Sequence, residues 1–212
     1  MYRYFVQPPS IIRSLFPRRI WRGDTAGKQL YLTFDDGPHP IITPFVLEQL
    51  AQYQAKASFF CIGDRVEKYS DLFQQIQAQG HCVGNHTYQH LNAWKNKQQL
   101  YVNDVARAAV VIPSAFFRPP YGRLPWSYAR AIKTILPSPP VKIVMWDLLS
   151  GDFDTSLSGE DCIAICRQRL RPGSIVVMHD SEKAWPRLAV LLPALLEFAV
   201  QEGYTFATID SI

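Results

Sequence analysis

QLYLTFDDGP (residues 29–38) opens as a run of aromatic and aliphatic residues and closes on two acids and a Gly-Pro turn. A short apolar run bounded by turn residues reads as a strand buried on both faces, the kind found in parallel sheets covered by helices. The same pattern recurs at Ala57 to Cys61, Cys82 to Asn85, Ala115 to Arg118, Lys142 to Trp146, Ser174 to Met178 and Tyr204 to Thr208. Every run but the last is followed by a connection long enough to hold a helix. Thr43 with Pro44 reads as an N-cap and first turn leading to Tyr53. Ser70 opens the next helix and Gly80 closes it. Ser158 with Asp161 is a capping box, and a last long helix runs from about Pro186 to Gly203. Alternation of this kind predicts an α/β fold on a parallel sheet, either open or closed into a barrel.

The reactive side chains choose between those two. Asp35 and Asp36 follow the first strand, His86 and His90 the third, Arg118 ends the fourth, Asp147 and Asp152 follow the fifth, and His179 follows the sixth. All stand at carboxyl ends. An open sheet gathers its ligand at one switch point, whereas polar residues on so many strand ends fit a ring of converging loops. The expected fold is a distorted (β/α) barrel of about seven parallel strands, an incomplete TIM-like barrel.

The chain has 212 residues, 48% of them hydrophobic and 19% charged, which suits a single globular domain. At this size a core forms without metal or disulfide staples, so a bound metal would serve chemistry. No run approaches the ~18 apolar residues of a membrane span, and no repeat is visible, which excludes spanning, fibrous and solenoid classes. The net charge of +4 sums 22 basic and 18 acidic residues. Five of the basic ones, Arg3, Arg13, Arg18, Arg19 and Arg22, precede the first acid, Asp24. The positive charge is therefore assigned to a basic segment, residues 1–27, and not to the catalytic face of the body, residues 28–212. No nucleic-acid partner is expected.

The apolar pieces of that segment are broken by Arg and Pro, unlike a secretory signal, so a cytoplasmic location is expected. Ser10 to Phe16 reads as a short helix ended by Pro17, with Ile11, Ile12, Leu15 and Phe16 on one face. It packs on the domain or makes weak peripheral contact with a membrane. Cys162 and Cys166 fall at i, i+4 on a helix, too far apart for a disulfide. With Cys61 and Cys82 they read as small buried apolar residues in a reducing compartment.

Four motifs carry chemistry. In TFDDGP (33–38) two adjacent carboxylates repel unless a cation or a proton compensates; alone, the motif also reads as a simple turn. HTYQH (86–90) places two imidazoles at i, i+4 of a helical turn, a metal-gripping geometry. With a carboxylate from another strand end it makes a two-His, one-carboxylate site with open positions. RPPYG (118–122) fixes an arginine fork after a strand, able to hold a carboxylate. SIVVMHD (174–180) delivers a histidine to a strand tip, a structural residue on its own and a candidate general acid opposite a metal.

In this order the four motifs resemble the polysaccharide deacetylase family, the NodB homology domain of carbohydrate esterase family 4, over about residues 28 to 209. The resemblance implies hydrolysis of acetyl groups from acetylated sugars, most readily N-acetylglucosamine units of a polysaccharide or oligosaccharide, with O-acetyl esters as a further possibility. It implies one divalent metal, usually zinc, with cobalt, nickel or manganese accepted. It assigns Asp35 as general base, Asp36, His86 and His90 as metal ligands, Arg118 as the partner orienting Asp35, and His179 as the acid. The Tyr121 backbone N–H would face the oxyanion, and Val177 would line the acetyl pocket. The usual Asp-x-x-Asp-Trp is here Leu149-Ser150-Gly151-Asp152-Phe153, which leaves Asp152 to polarise His179 and Phe153 as an aromatic wall. Asp147 and Trp146 either compensate for that change or serve as strand-end and core residues. Two competing readings are a cytosolic amidohydrolase of a small substrate and an inactive carbohydrate-binding homologue.

Overall fold

The computed structural model describes residues 4–136 and 140–212; Arg3 of the basic segment lies outside them. The chain opens with α1 (Ser10–Leu15) and then alternates. β1 (Gln29–Asp35) leads to α2 (Ile42–Gln52), β2 (Ser58–Cys61) to α3 (Gly63–Lys68) and α4 (Ser70–Ala78), and β3 (Cys82–Asn85) to α5 (Gln98–Val111). β4 (Phe116–Phe117), α6 (Trp126–Ile135), β5 (Lys142–Ile143) and β6 (Leu148–Leu149) follow. α7 (Gly159–Arg169), β7 (Ile175–His179), α8 (Trp185–Gln201) and β8 (Thr205–Phe206) complete it.

Seven strands run side by side in the order β5-β4-β3-β2-β1-β7-β6, all pairs parallel, while β8 pairs only with the start of β1. The fold is an incomplete α/β barrel. Alternation along β1 sends Leu32 and Phe34 outward to the helices and Tyr31, Thr33 and Asp35 inward. The outer layer packs Phe34, Phe59 and Met178 against Val46, Leu50, Leu191 and Leu195. Tyr31, Phe60, Val144, Ile175 and Ile209 fill the interior below the strand ends.

Several expectations need correction. The strand foreseen at Lys142 to Trp146 stops at Ile143, and a separate strand at Leu148–Leu149 supplies the edge beside β7. Thr43 is not an N-cap: it lies inside α2, where its Oγ1 accepts from the His39 N–H and donates to Asp180. Ser158 and Asp161 do form a capping box, and Gly80 follows α4 at φ 76°. The four cysteines are free, but Cys82 is only half-buried.

The barrel is open between β5 and β6, and both bare edges find partners in the N-terminal segment. Ile20 donates to the Ile143 carbonyl at 2.9 Å and accepts from the Met145 N–H at 2.7 Å. The Leu149 N–H reaches the Val6 carbonyl at 2.9 Å. Unpaired edge groups are thus covered, which matters for a sheet that does not close. α1 splits the apolar face expected of it. Ile12 and Phe16 turn toward the protein, whereas Ile11 and Leu15 face solvent.

Candidate active site

β1 and β7 are neighbours in a register that pairs Thr33 with Val177 and Asp35 with His179. Two inward-facing pairs therefore stand side by side at the carboxyl ends. Arg118, from the end of β4, is fully buried beneath them. Its Nη1 donates to Thr33 Oγ1 and to Asp35 Oδ1, each at 2.7 Å, and its Nη2 donates to the Met145 carbonyl at 2.9 Å. The guanidinium lies 4.0 Å from the Phe60 ring centroid. So the fork does not grip Asp35 with both nitrogens; it divides between three acceptors and fixes the carboxylate in one orientation.

Asp36, His86 and His90 place one ligand atom each within 4.8 Å of the others. His86 Nδ1 donates to the Arg118 carbonyl at 2.7 Å, which leaves Nε2 as the lone-pair nitrogen facing Asp36. His90 Nε2 lies 3.2 Å from Asp36 Oδ1. Burial pushes both imidazoles below the ordinary histidine range, His90 to about 4, so each is neutral at pH 7. Burial opposes ionisation of Asp36, yet His179, His90, His86 and Arg65 hold its pKa low. Two neutral imidazoles and one carboxylate converging on one point are a donor set fit for a divalent cation.

The HTYQH segment is not helical. Thr87 and His90 adopt φ of 69° and 55°, and a loop brings the two rings to 5.1 Å. Asp104 of α5 holds that loop, accepting the Tyr88 and Gln89 N–H groups at 2.8 and 3.1 Å. Of the five non-glycine residues with positive φ among the described residues, Asp36, His90 and Tyr121 line the cleft and Thr87 sits in the loop between His86 and His90. Such backbone costs energy and is retained where geometry is fixed for a task.

Across the cluster, His179 Nδ1 lies 2.8 Å from Asp152 Oδ1, and the His179 N–H donates to Asp152 Oδ2 at 2.7 Å. Burial alone would lower the His179 pKa, but Asp152, with help from Asp36 and Asp35, raises it to about 9. The imidazole is then protonated at neutral pH. The cleft holds about 610 Å³. Val177, Leu149, Phe153, Trp146 and Tyr121 line it, and Phe153 meets His179 edge-on at 5.4 Å. Asp147 is absent from the lining; it is buried and bonded to Arg171 and Ser174, so it compensates for nothing at the site.

A family model described as polysaccharide deacetylase matches residues 22–135. The chain belongs to the polysaccharide deacetylase family. It is similar to a peptidoglycan-N-acetylglucosamine deacetylase of Bacillus cereus, 30% identical over 198 residues and 91% of each chain. It is also similar to a chitooligosaccharide deacetylase of Sinorhizobium fredii, 36% identical over 171 residues and 77% of each chain. A crystal structure of a peptidoglycan N-acetylglucosamine deacetylase superposes with TM-score 0.81 at 27% identity, covering 92% of both chains.

In this polysaccharide deacetylase chain several contributors escaped the sequence reading. Thr33 was legible in principle, two residues from Asp35 on the same strand face. Asp104 and Arg65, which donates to the Asp36 carbonyl at 2.9 Å, sit on helices with no motif around them. Tyr4, Phe5, Pro8 and Ile12 wall the cleft from the N-terminal segment, uncharged side chains that no motif marked. Tyr4 meets Phe153 at 4.8 Å, on the side where Leu149 and Phe153 depart from the family pattern.

Proposed function

We propose that this chain is a metal-dependent deacetylase that releases acetate from acetylated sugars, N-acetylglucosamine units before others. One observation carries the reading: a carboxylate held by an arginine and an imidazole held by a carboxylate flank a two-His, one-carboxylate cluster within one cleft. The relatives named above act on peptidoglycan N-acetylglucosamine and on chitooligosaccharides, which supports the same substrate class. Fold likeness alone would not, since a carbohydrate esterase family 4 pseudoenzyme from Bacillus anthracis shares the fold at TM-score 0.77 and 21% identity.

Asp36, His86 and His90 would hold the metal; imidazole and carboxylate donors with open positions suit zinc, and cobalt, nickel or manganese as well. The bound ion supplies polarisation of the acetyl carbonyl and acidifies the attacking water. Asp35, aimed by Arg118, accepts the proton of that water. The Tyr121 backbone N–H meets the developing oxyanion, a contribution of about 3 kcal/mol for one such donor. His179, kept protonated by Asp152, gives its proton to the leaving nitrogen. Val177 seats the methyl group, and Phe153 with Trp146 walls the sugar.

Metal content and acetate release, measured together on chitooligosaccharide, peptidoglycan and acetylated xylan, test this. His86→Ala should lose both, while His179→Ala should keep stoichiometric metal and lose turnover by roughly a hundredfold or more. Full metal and full rate in His86→Ala, or activity confined to a small non-sugar amide, would sink the proposal.

A further inference from the structure

The acid-free basic stretch at the N-terminus has a counterpart in the body of the chain. No acid precedes Asp24 and none lies between Asp104 and Asp147, and these two stretches hold five and six Lys and Arg residues respectively. The fold brings them together. Phe16 stacks on Trp126 at 5.0 Å, and Arg19 caps the Phe16 ring at 4.0 Å while donating to the Leu124 carbonyl at 2.7 Å. A groove of about 850 Å³ runs along this seam, lined by Arg18, Arg130 and Lys133 among others. It lies apart from the catalytic cleft.

Some of these cations are used within the fold: Arg13 and Arg22 approach Asp147 at 3.7 and 3.8 Å. Arg18, Arg130 and Lys133 are exposed and have no ion-pair partner among the described residues. Trp126, Arg130 and Lys133 share a face of α6 at i, i+4 and i+7. Beside them stands an apolar set: Ile11 is 68% exposed, Leu15 62% and Trp126 60%. Ile11 and Leu15 share a face of α1, and Leu15 adjoins the Phe16–Trp126 stack. Single exposed apolar residues are ordinary; a set of them rimmed by unpaired cations marks an interaction surface.

We propose that this face docks on an anionic lipid surface, with Ile11, Leu15 and Trp126 entering the interface and Arg18, Arg130 and Lys133 meeting the headgroups. A soluble polyanion would satisfy the cations but leave Ile11 and Leu15 in water, and an apolar protein partner would leave the cations unpaired. A lipid surface satisfies both.

Cosedimentation of the full chain with vesicles decides it. The protein should sediment with mixed phosphatidylcholine–phosphatidylglycerol vesicles, less so at high salt, and not with phosphatidylcholine alone. Ile11→Ser with Leu15→Ser, and separately Arg130→Gln with Lys133→Gln, should each weaken that binding about tenfold. All four positions lie outside the cleft, so acetate release from soluble chitooligosaccharide should stay as in the parent. Failure to bind the anionic vesicles, equal binding to both vesicle types, or variants that bind like the parent would overturn the proposal. Retention on heparin without vesicle binding would assign the face to a polyanionic glycan and overturn it too.

Discussion

Asp152 shows how one side chain sets the chemistry of another. Its two oxygens hold the ring and the backbone N–H of His179, and its charge lifts the His179 pKa to about 9. Asp152→Asn removes that charge, so the imidazole loses its proton at lower pH. The alkaline limb of the pH–kcat profile should move down, toward the unperturbed value near 6.5; an unmoved limb would show that His179 is not the acid. Asp104 works one step further out. It accepts two N–H groups of the loop that carries His90, so Asp104→Ala should weaken metal binding by roughly tenfold to a hundredfold with the fold intact. Competition against a chromophoric chelator reads that directly. The motif residues were legible because strand-end acids and histidines have little structural reason to cluster. Asp104 was not, because a lone acid on an amphipathic helix looks like any solvated residue until the loop is folded over it.

At the level of elements, strong apolar runs such as β1 and β7 were plain, while two-residue strands were not. β6 covers only Leu148 and Leu149 and carries no period that a sequence could show. The His86 to His90 spacing suggested a helix; the loop achieves the same convergence through left-handed backbone at Thr87 and His90, which no residue type announces. The N-terminal segment was read as a tail, but its hydrogen bonds make it the missing edge of an open barrel. Removing residues 1–22 would abolish three backbone hydrogen bonds to β5, β6 and their flanks and expose the contact made by buried Val6. At about 1 kcal/mol per bond and about 1.5 for Val6, the loss is roughly 4 kcal/mol, or about 10 °C in melting temperature. An unchanged melting temperature would reduce the segment to a passenger.

For the whole molecule, a net charge of +4 hides opposed titrations that set how stability responds to pH. Burial lowers His81 to about 4 and, without metal, His90 to about 4, so both favour the folded state increasingly as pH rises from 4 to 6.5. Asp180 acts the other way. Burial beside Asp36 raises its pKa to about 7, and its contribution fades as pH climbs from about 4 to 7. Below 6.5 these effects oppose each other. Above 6.5 both histidines are neutral in folded and unfolded chains alike, and the raised His179 governs: its proton stabilises the folded state fully below 6.5, and that stabilisation is lost as pH rises toward 9. The half-buried Cys82 thiol and the buried Cys162 thiol, both pushed up to about 12 by loss of solvent, extend the decline at still higher pH. Urea midpoints of chelator-treated protein should therefore peak near pH 6.5 and fall by pH 9 by the equivalent of about 2 kcal/mol. Asp152→Asn should flatten that fall, because the charge that does most to raise the His179 pKa in the folded state is then gone. A parent protein equally stable at pH 6.5 and 9 would mean that His179 gains no proton affinity on folding, and with it would go the physical basis for its role as the acid.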